Sequence, residues 1–375
     1  MTASAGSASR PLPTRWLGWA SAALLAIVFF LHLGFFFAWG SGIVWIYAIH
    51  FGWVALWLLA VTSFTRTVGL RMLTAFWFVG VYPATALVLL MGRPVAEVFG
   101  LSNAVVPGVL LPMGEELVKH LPVLLLFWFA ARRNRWQLSA TDGLVLGFMV
   151  GAGFAFHEEL MFGRASGSGW DATPFSWLFP TIWSFRGEAS AYQDVWVALV
   201  GLAIGAGFML RTRMRRAWTL PVAAWLIVFI DHVTWNSLGG AHATGVGATV
   251  ANVLRALMLD GALPIIALVV GIALAVFWEL GIARSMGRRD SVFPAIPLHA
   301  FVEAAQAAPR GDWRHLQAMR EYARRRRSAY YSLWIWEPVG ADPAAINALR
   351  SELYALAQEA GVATGGDAPV TAPGA

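Results

Sequence analysis

Apolar residues run through this chain in blocks of about twenty, the length of an α-helix that crosses a bilayer. Eight such blocks stand near residues 16–38, 43–63, 71–92, 104–131, 142–163, 190–210, 218–238 and 256–279. They predict an all-α fold, a polytopic membrane helix bundle over residues 1–280. The first block is too long for a signal peptide and lacks a convincing cleavage context, so it is expected to remain as an anchor. Pro107 and Pro112 are expected to split a short interfacial or re-entrant piece from residues 97–112. Residues 281–360 hold no further block and read as a small helical tail, with 361–375 disordered. Within that tail "GADPAAINALRSELYALAQEAG" predicts a helix with Asp342 as N-cap, Pro343 at its first position and Gly361 beyond its end. The stretch "REYARRRRSAYYSLWIW" is expected to be a solvated helix face or a contact with lipid headgroups.

Charge placement gives the blocks a direction. Arg10 and Arg15 precede the first; Arg66 and Arg71 lie between the second and third. Arg132, Arg133 and Arg135 follow the fourth, Arg211, Arg213, Arg215 and Arg216 the sixth, and Arg284, Arg288 and Arg289 the eighth. The alternate connections are poorer in arginine, so the positive-inside rule puts both termini in the cytoplasm of a multi-pass protein of the cytoplasmic membrane. The net charge of +6 therefore reads as membrane topology and not as a nucleic-acid groove. Hydrophobic residues make up 58% of the chain and charged ones 13%, far from a soluble average. The absence of cysteine excludes disulfides, thiol nucleophiles and Cys-based zinc sites.

Against this background a few polar residues stand out, because a charge at mid-bilayer costs roughly 3 kcal/mol or more. The fourth block contains "LLPMGEELVKH", with Glu115, Glu116, His120 and Lys119, the only lysine in the chain. The fifth carries His157, Glu158 and Glu159, the sixth Gln193 and Asp194, and the seventh Asp231, His232 and Asn236. Glu115 lies 17 residues from Arg132, Glu158 16 from Asp142, Gln193 18 from Arg211 and His232 16 from Arg216. At about 1.5 Å per residue, all four sit about 24–27 Å from the cytoplasmic boundary, in the outer part of the membrane. A shared level argues for one site. Helical spacing agrees: Glu115 and Lys119, Glu116 and His120, Phe154 and Glu158, and His232 and Asn236 are each four apart. Gly147 with Gly151, and Gly201 with Gly205, allow the helices around such a site to approach closely. His32 and His50 read as satisfied or interfacial, and Asp194 and Asp260 as solvated.

Three of these segments carry a family resemblance. "EELVK" resembles the EExxK motif of the PrsW-type intramembrane proteases. "GFAFHE" is similar to their FxxxE motif, at Phe154 and Glu158, and "HVTWN" to their HxxxN motif, at His232 and Asn236. The motifs fall in order on separate blocks, over about residues 97–240. The resemblance implies a protease that cleaves a membrane-tethered protein near the outer surface, in some members an anti-sigma factor. It belongs to a wider group with the CaaX-prenyl-protease-type glutamate endopeptidases. Members are classed as metalloproteases, while related enzymes are argued to use a glutamate-activated water. Two positions depart from the pattern: Gln193 stands where a histidine is usual, and Glu159 where an asparagine is.

Peptide hydrolysis needs a base for water, a cradle for the oxyanion and a proton donor to the leaving amine. Glu115 or Glu116 is expected to be the base, with Lys119 fixing the charge state of the pair. His232 would orient or ligate, and Asn236 would donate to the oxyanion. Zinc stays open as a cofactor, with Glu158, His232 and His157 as the candidate ligands and Asp231 as a group that would hold a ligand in place. His120 reads equally as a packing histidine. Two other classes fit buried carboxylates and histidines: a proton-coupled transporter, disfavoured by the off-centre polar level, and a non-catalytic relative that binds single-span proteins.

Overall fold

The computed structural model describes residues 30, 34, 41–99, 106–133, 136–162, 165–170, 176–184, 187–189, 192–238, 246–289, 296, 298–310, 313–340 and 342–362. The first apolar block and the segment expected to be disordered fall almost wholly outside these residues. Helix α1 spans Ser41–Val61. Helix α2, Leu70–Val79, passes through a π turn at Gly80–Ala84 into α3, Thr85–Phe99. A second π turn, Val106–Leu110, leads into α4, Leu111–Arg133, and α5 follows at Ala140–Phe162. Then come α6, Gln193–Leu210, α7, Thr219–Leu238, α8, Val246–Leu257, and α9, Ala262–Arg289. The tail forms α10, Leu298–Ala307, α11, Trp313–Trp336, and α12, Pro343–Glu359. Three short strands, Ala165–Gly169, Thr181–Ser184 and Gly187–Ala189, form an antiparallel sheet between α5 and α6, in chain order.

Among the described residues five helices are long and apolar enough to cross a membrane: Val44–Val61, Leu70–Gly92, Ala140–Leu160, Gln193–Leu210 and Leu259–Arg289. Helices α4 and α7 have the length but carry polar groups along it, Glu115, Glu116 and Lys119 in α4 and Asp231, His232 and Asn236 in α7. The last apolar block also begins later than its pattern suggests. Leu259 and Asp260 take a positive φ of 54° at a 3-10 turn, which separates α8 from α9. Helix α9 then runs ten residues past the expected end at 279, because its polar last turns project beyond the apolar run while remaining helical.

Helices α5 and α6 form the centre. The α5 glycines recur every fourth residue, so one bare backbone stripe faces α6. A Cβ at Gly147 would stand 2.3 Å from the Val197 carbonyl oxygen, and one at Gly151 2.3 Å from that of Gln193. On the other side of α5, a Cβ at Gly153 would meet the Trp77 carbonyl oxygen of α2 at 2.1 Å. Gly147→Ala is therefore expected to force α5 and α6 apart and cost about 1–3 kcal/mol, read by denaturant unfolding in mixed micelles. Helix α5 begins with a reciprocal cap: the Ser139 amide donates to Asp142 Oδ2 at 2.8 Å and the Asp142 amide to Ser139 Oγ at 3.0 Å. The same carboxylate accepts the amides of Thr67 and Val68 at 2.6 and 2.9 Å, tying the α1–α2 connection to α5.

These contacts gather the arginine-bearing ends of the helices at one end of the bundle, and the tail docks there. Tyr331 donates to the Thr65 carbonyl at 2.9 Å, Ser328 to that of Gln137 at 2.7 Å, and Thr212 to that of Ile335 at 2.7 Å. Tyr322, Tyr330 and Tyr331 are buried. The arginine-aromatic stretch is thus a packing helix on its tyrosine side, where the sequence suggested a solvated face or lipid contact. A helical period of arginines cannot reveal that another part of the chain covers the intervening tyrosines. Glu337 bridges Arg213 and Arg289, whose hydrogen bonds hold its carboxyl below the usual range. Helix α12 matches its expected cap, with the Asp342 side chain accepting from the Ala344 amide at 3.0 Å and Gly361 at φ +63° beyond the end.

Candidate functional site

The end opposite the arginines is where α4 starts, α5 ends, α6 starts and α7 ends, so each polar motif arrives there on its own helix. Lys119 points from α4 toward α6. Its ammonium is fully buried and donates to Glu116 Oε1 and to Gln193 Oε1. The Gln193 amide nitrogen donates onward to Glu158 Oε2 at 3.0 Å. On the other side, Glu116 Oε1 meets His232 Nδ1 at 2.7 Å. His232 Nε2 faces Asn236 Nδ2 at 3.3 Å and Glu115 Oε2 at 3.7 Å. A connected path thus runs Glu158, Gln193, Lys119, Glu116, His232, and from there to Glu115 and Asn236. The glycine stripe of α5 is what lets Gln193 and Glu158 reach each other.

The two adjacent glutamates are not equivalent. Glu116 is fully buried between an ammonium and an imidazole, whereas the Glu115 side chain keeps 21% of its surface exposed. Lys119 pairs with its i−3 neighbour Glu116 and not with the i−4 residue Glu115. Taking an unpaired charge into the bilayer is expensive, so the compensated partner is the sealed one. With Nδ1 donating to Glu116, His232 carries its lone pair on Nε2, where it accepts from Asn236 Nδ2 and faces Glu115.

Trp196, three residues beyond Gln193 on α6, drew no notice in the sequence. Its indole stacks on the His232 ring at 4.7 Å between centroids, with 27° between planes. The Lys119 ammonium lies 5.7 Å from the same indole and 5.0 Å from the Phe154 ring. Trp196 Nε1 donates to Asp231 Oδ2 at 2.8 Å. Only its i+3 spacing from Gln193 could have signalled this role, and in a chain with twenty tryptophans that signal is weak.

Other candidates sit elsewhere. His120 is buried, with Nδ1 toward the Glu116 carbonyl and 3.8 Å from Glu116 Oε2, so it braces the backbone of α4. His157 is buried one residue before Glu158, about 100° around the helix from it. Glu159 accepts from Tyr192. Asp194, expected in solvent, is fully buried and faces His50 of α1 at 3.6 Å. The arrival of α1 beside α6 is a long-range event that local sequence does not encode. Asp260 is exposed and pairs with Arg255 at 2.6 Å, and His32 lies outside the described residues.

No match was found among curated proteins or among solved structures. Comparison with protein families matches residues 30–276 to the PrsW family intramembrane metalloproteases, a stretch that contains every residue of the network above. That span exceeds half of the chain and begins before the first described helix. The chain is an integral membrane protease and belongs to the PrsW family of intramembrane metalloproteases.

Proposed function

We propose that this protein is an endopeptidase that cleaves a membrane-tethered protein, using water activated by Glu115. The observation that carries this reading is the asymmetry of the glutamate pair: one carboxylate is locked in a buried ion network, and its neighbour is accessible beside the same histidine. Arginine placement supports a cytoplasmic location for both termini, which puts the cut near the extracytoplasmic face. The family resemblance supports an anti-sigma factor, or another single-span protein, as the substrate class. The bundle core at about 97–240 would do the chemistry and the docked tail would brace its cytoplasmic end.

The steps follow from the chain's own groups. Glu115 removes a proton from a water held between its carboxylate and His232 Nε2, and the oxygen attacks the scissile carbonyl carbon. Asn236 Nδ2 donates to the developing oxyanion. Glu115, now protonated, returns the proton to the departing amine as the C–N bond breaks. Glu116 keeps the His232 ring in one tautomer, and Lys119 keeps Glu116 ionised.

The family name implies a metal, and the residues present do not fit one. Among the described residues no group of three or more His, Asp or Glu side chains is arranged to hold an ion, which speaks against Glu158, His232 and His157 as a ligand set. Gln193 offers a neutral amide where an imidazole would ligate. The space between it and Glu116 is filled by the Lys119 ammonium, itself a cation. Cleavage by the purified protein is accordingly expected to survive dialysis against a strong zinc chelator with less than about a twofold change. Loss on chelation with recovery on adding zinc would contradict this.

The reading is tested by co-expression with candidate single-span proteins. Wild type is expected to release a fragment that Glu115→Gln, Glu116→Gln and His232→Ala do not. Cleavage persisting in all three variants would remove the assignment. Association without cleavage by wild type would favour a non-catalytic relative.

A further inference from the structure

We infer that Trp196 is the positioning residue of the site, a single indole that holds both groups on which Glu116 depends. This rests on the proteolytic reading above and adds a residue to it. Three contacts converge on one side chain: the His232 ring stacked at 4.7 Å, the Lys119 ammonium at 5.7 Å, and the Asp231 carboxylate at 2.8 Å from Nε1.

The physical case starts from Lys119. An ammonium on a four-carbon stem has many rotamers, and its two oxygen partners, Glu116 and Gln193, direct only two of its three protons. Around this buried ammonium the electron-rich faces of Trp196 and Phe154 supply attraction that bulk water would otherwise provide. His232 is an aromatic ring with hydrogen bonds at its edge alone, so the stacked indole is what defines its plane. Asp231 then fixes the indole, since its Oδ2 takes the one polar hydrogen of that ring. Trp196 and Asp231 are 3% and 0% exposed, and Trp196 lies on α6, which the glycine seam holds against α5. A 1 Å displacement of His232 would move its Nε2 away from the water between it and Glu115, which costs turnover more than affinity.

The unique lysine supplies a readout that needs no substrate. Full-length protein labelled with [ε-13C]lysine and held in nanodiscs gives a single side-chain resonance, that of Lys119. Trp196→Leu is expected to move this resonance, because the ring current of the indole is lost, and to lower kcat about 10- to 100-fold with KM changed less than about threefold. Trp196→Phe keeps a ring face, and Asp231→Asn keeps an acceptor for the indole. Each is expected to retain turnover within about fivefold of wild type. A Trp196→Leu resonance that superimposes on wild type, or equal losses in the Leu and Phe variants, would overturn the inference. Wild type that cuts no substrate while the resonance shifts as expected would instead overturn the proteolytic reading and leave the indole's placement standing.

Discussion

Glu115→Gln is expected to reduce cleavage by about 10³-fold or more while leaving the unfolding midpoint within experimental error of wild type. The separation of the two effects is what makes this variant informative. Glu115 carries no part of the Lys119 pair, and the titratable group it faces is His232, with Nε2 at 3.7 Å. Removing its charge leaves no buried cation or anion alone, and an isosteric amide fills the same partly exposed space. The reaction, by contrast, loses the group that takes the proton from water and returns it to the amine. Quenched-fluorescence cleavage of a reconstituted single-span substrate measures the rate, and denaturant unfolding in mixed micelles measures stability. A variant that is inactive only because it unfolds would fail this prediction.

Lys119→Met is expected to do the opposite first. It destabilises the bundle by about 3–5 kcal/mol, since Glu116 is left as an uncompensated carboxylate in a fully buried position. Its remaining neighbours, His232 Nδ1 at 2.7 Å and the farther His120, do not replace a permanent charge. Activity is lost as well. The second substitution discriminates: Lys119→Met with Glu116→Gln removes both charges and is expected to recover most of the stability without any activity. The coupling energy between the two positions, read from the four unfolding curves, should be at least about 2 kcal/mol. Additive behaviour would show that the ion pair contributes nothing to the fold.

Much of this arrangement was legible along the chain, for a reason rooted in the bilayer. Lipid penalises every polar group, so Glu115, Glu116, Lys119, Glu158 and His232 announce themselves simply by standing in apolar helices. Counting residues from the arginines put them at one depth, and the contacts among them join residues from that level. The glycine stripes of α5 and α6 were equally visible, as only a missing side chain permits such close approach. What stayed hidden depends on rotation and on distant partners. A 3.6-residue period cannot decide which of two adjacent glutamates turns inward, and Lys119 reaches Glu116 and Glu115 by comparable spacings. Asp194 looked solvated at a helix start until α1 covered it with His50. Trp196 looked like any aromatic in an aromatic-rich chain, and the tyrosines of α11 gave no sign that the bundle would bury them. The break at Leu259–Asp260 was also unreadable, because two non-glycine residues at positive φ carry no composition signal.

The family match and the local chemistry pull apart at one point, the metal. On the reading proposed above, Lys119 reconciles them: its ammonium already pairs with Glu116, a carboxylate that would otherwise attract a dication. The Gln193 substitution then has a positive role, since an amide can accept from Lys119 and donate to Glu158 at once, which a single imidazole orientation would do less readily.

The most direct test of the account is cleavage by purified protein, reconstituted in chelator-treated vesicles, of a single-span substrate in 18O-labelled water. The account predicts one 18O atom in the new carboxyl terminus, at a site near the extracytoplasmic membrane surface. It also predicts no such product from Glu115→Gln protein of unchanged stability. Labelled product formed equally well by the Glu115→Gln protein would contradict it.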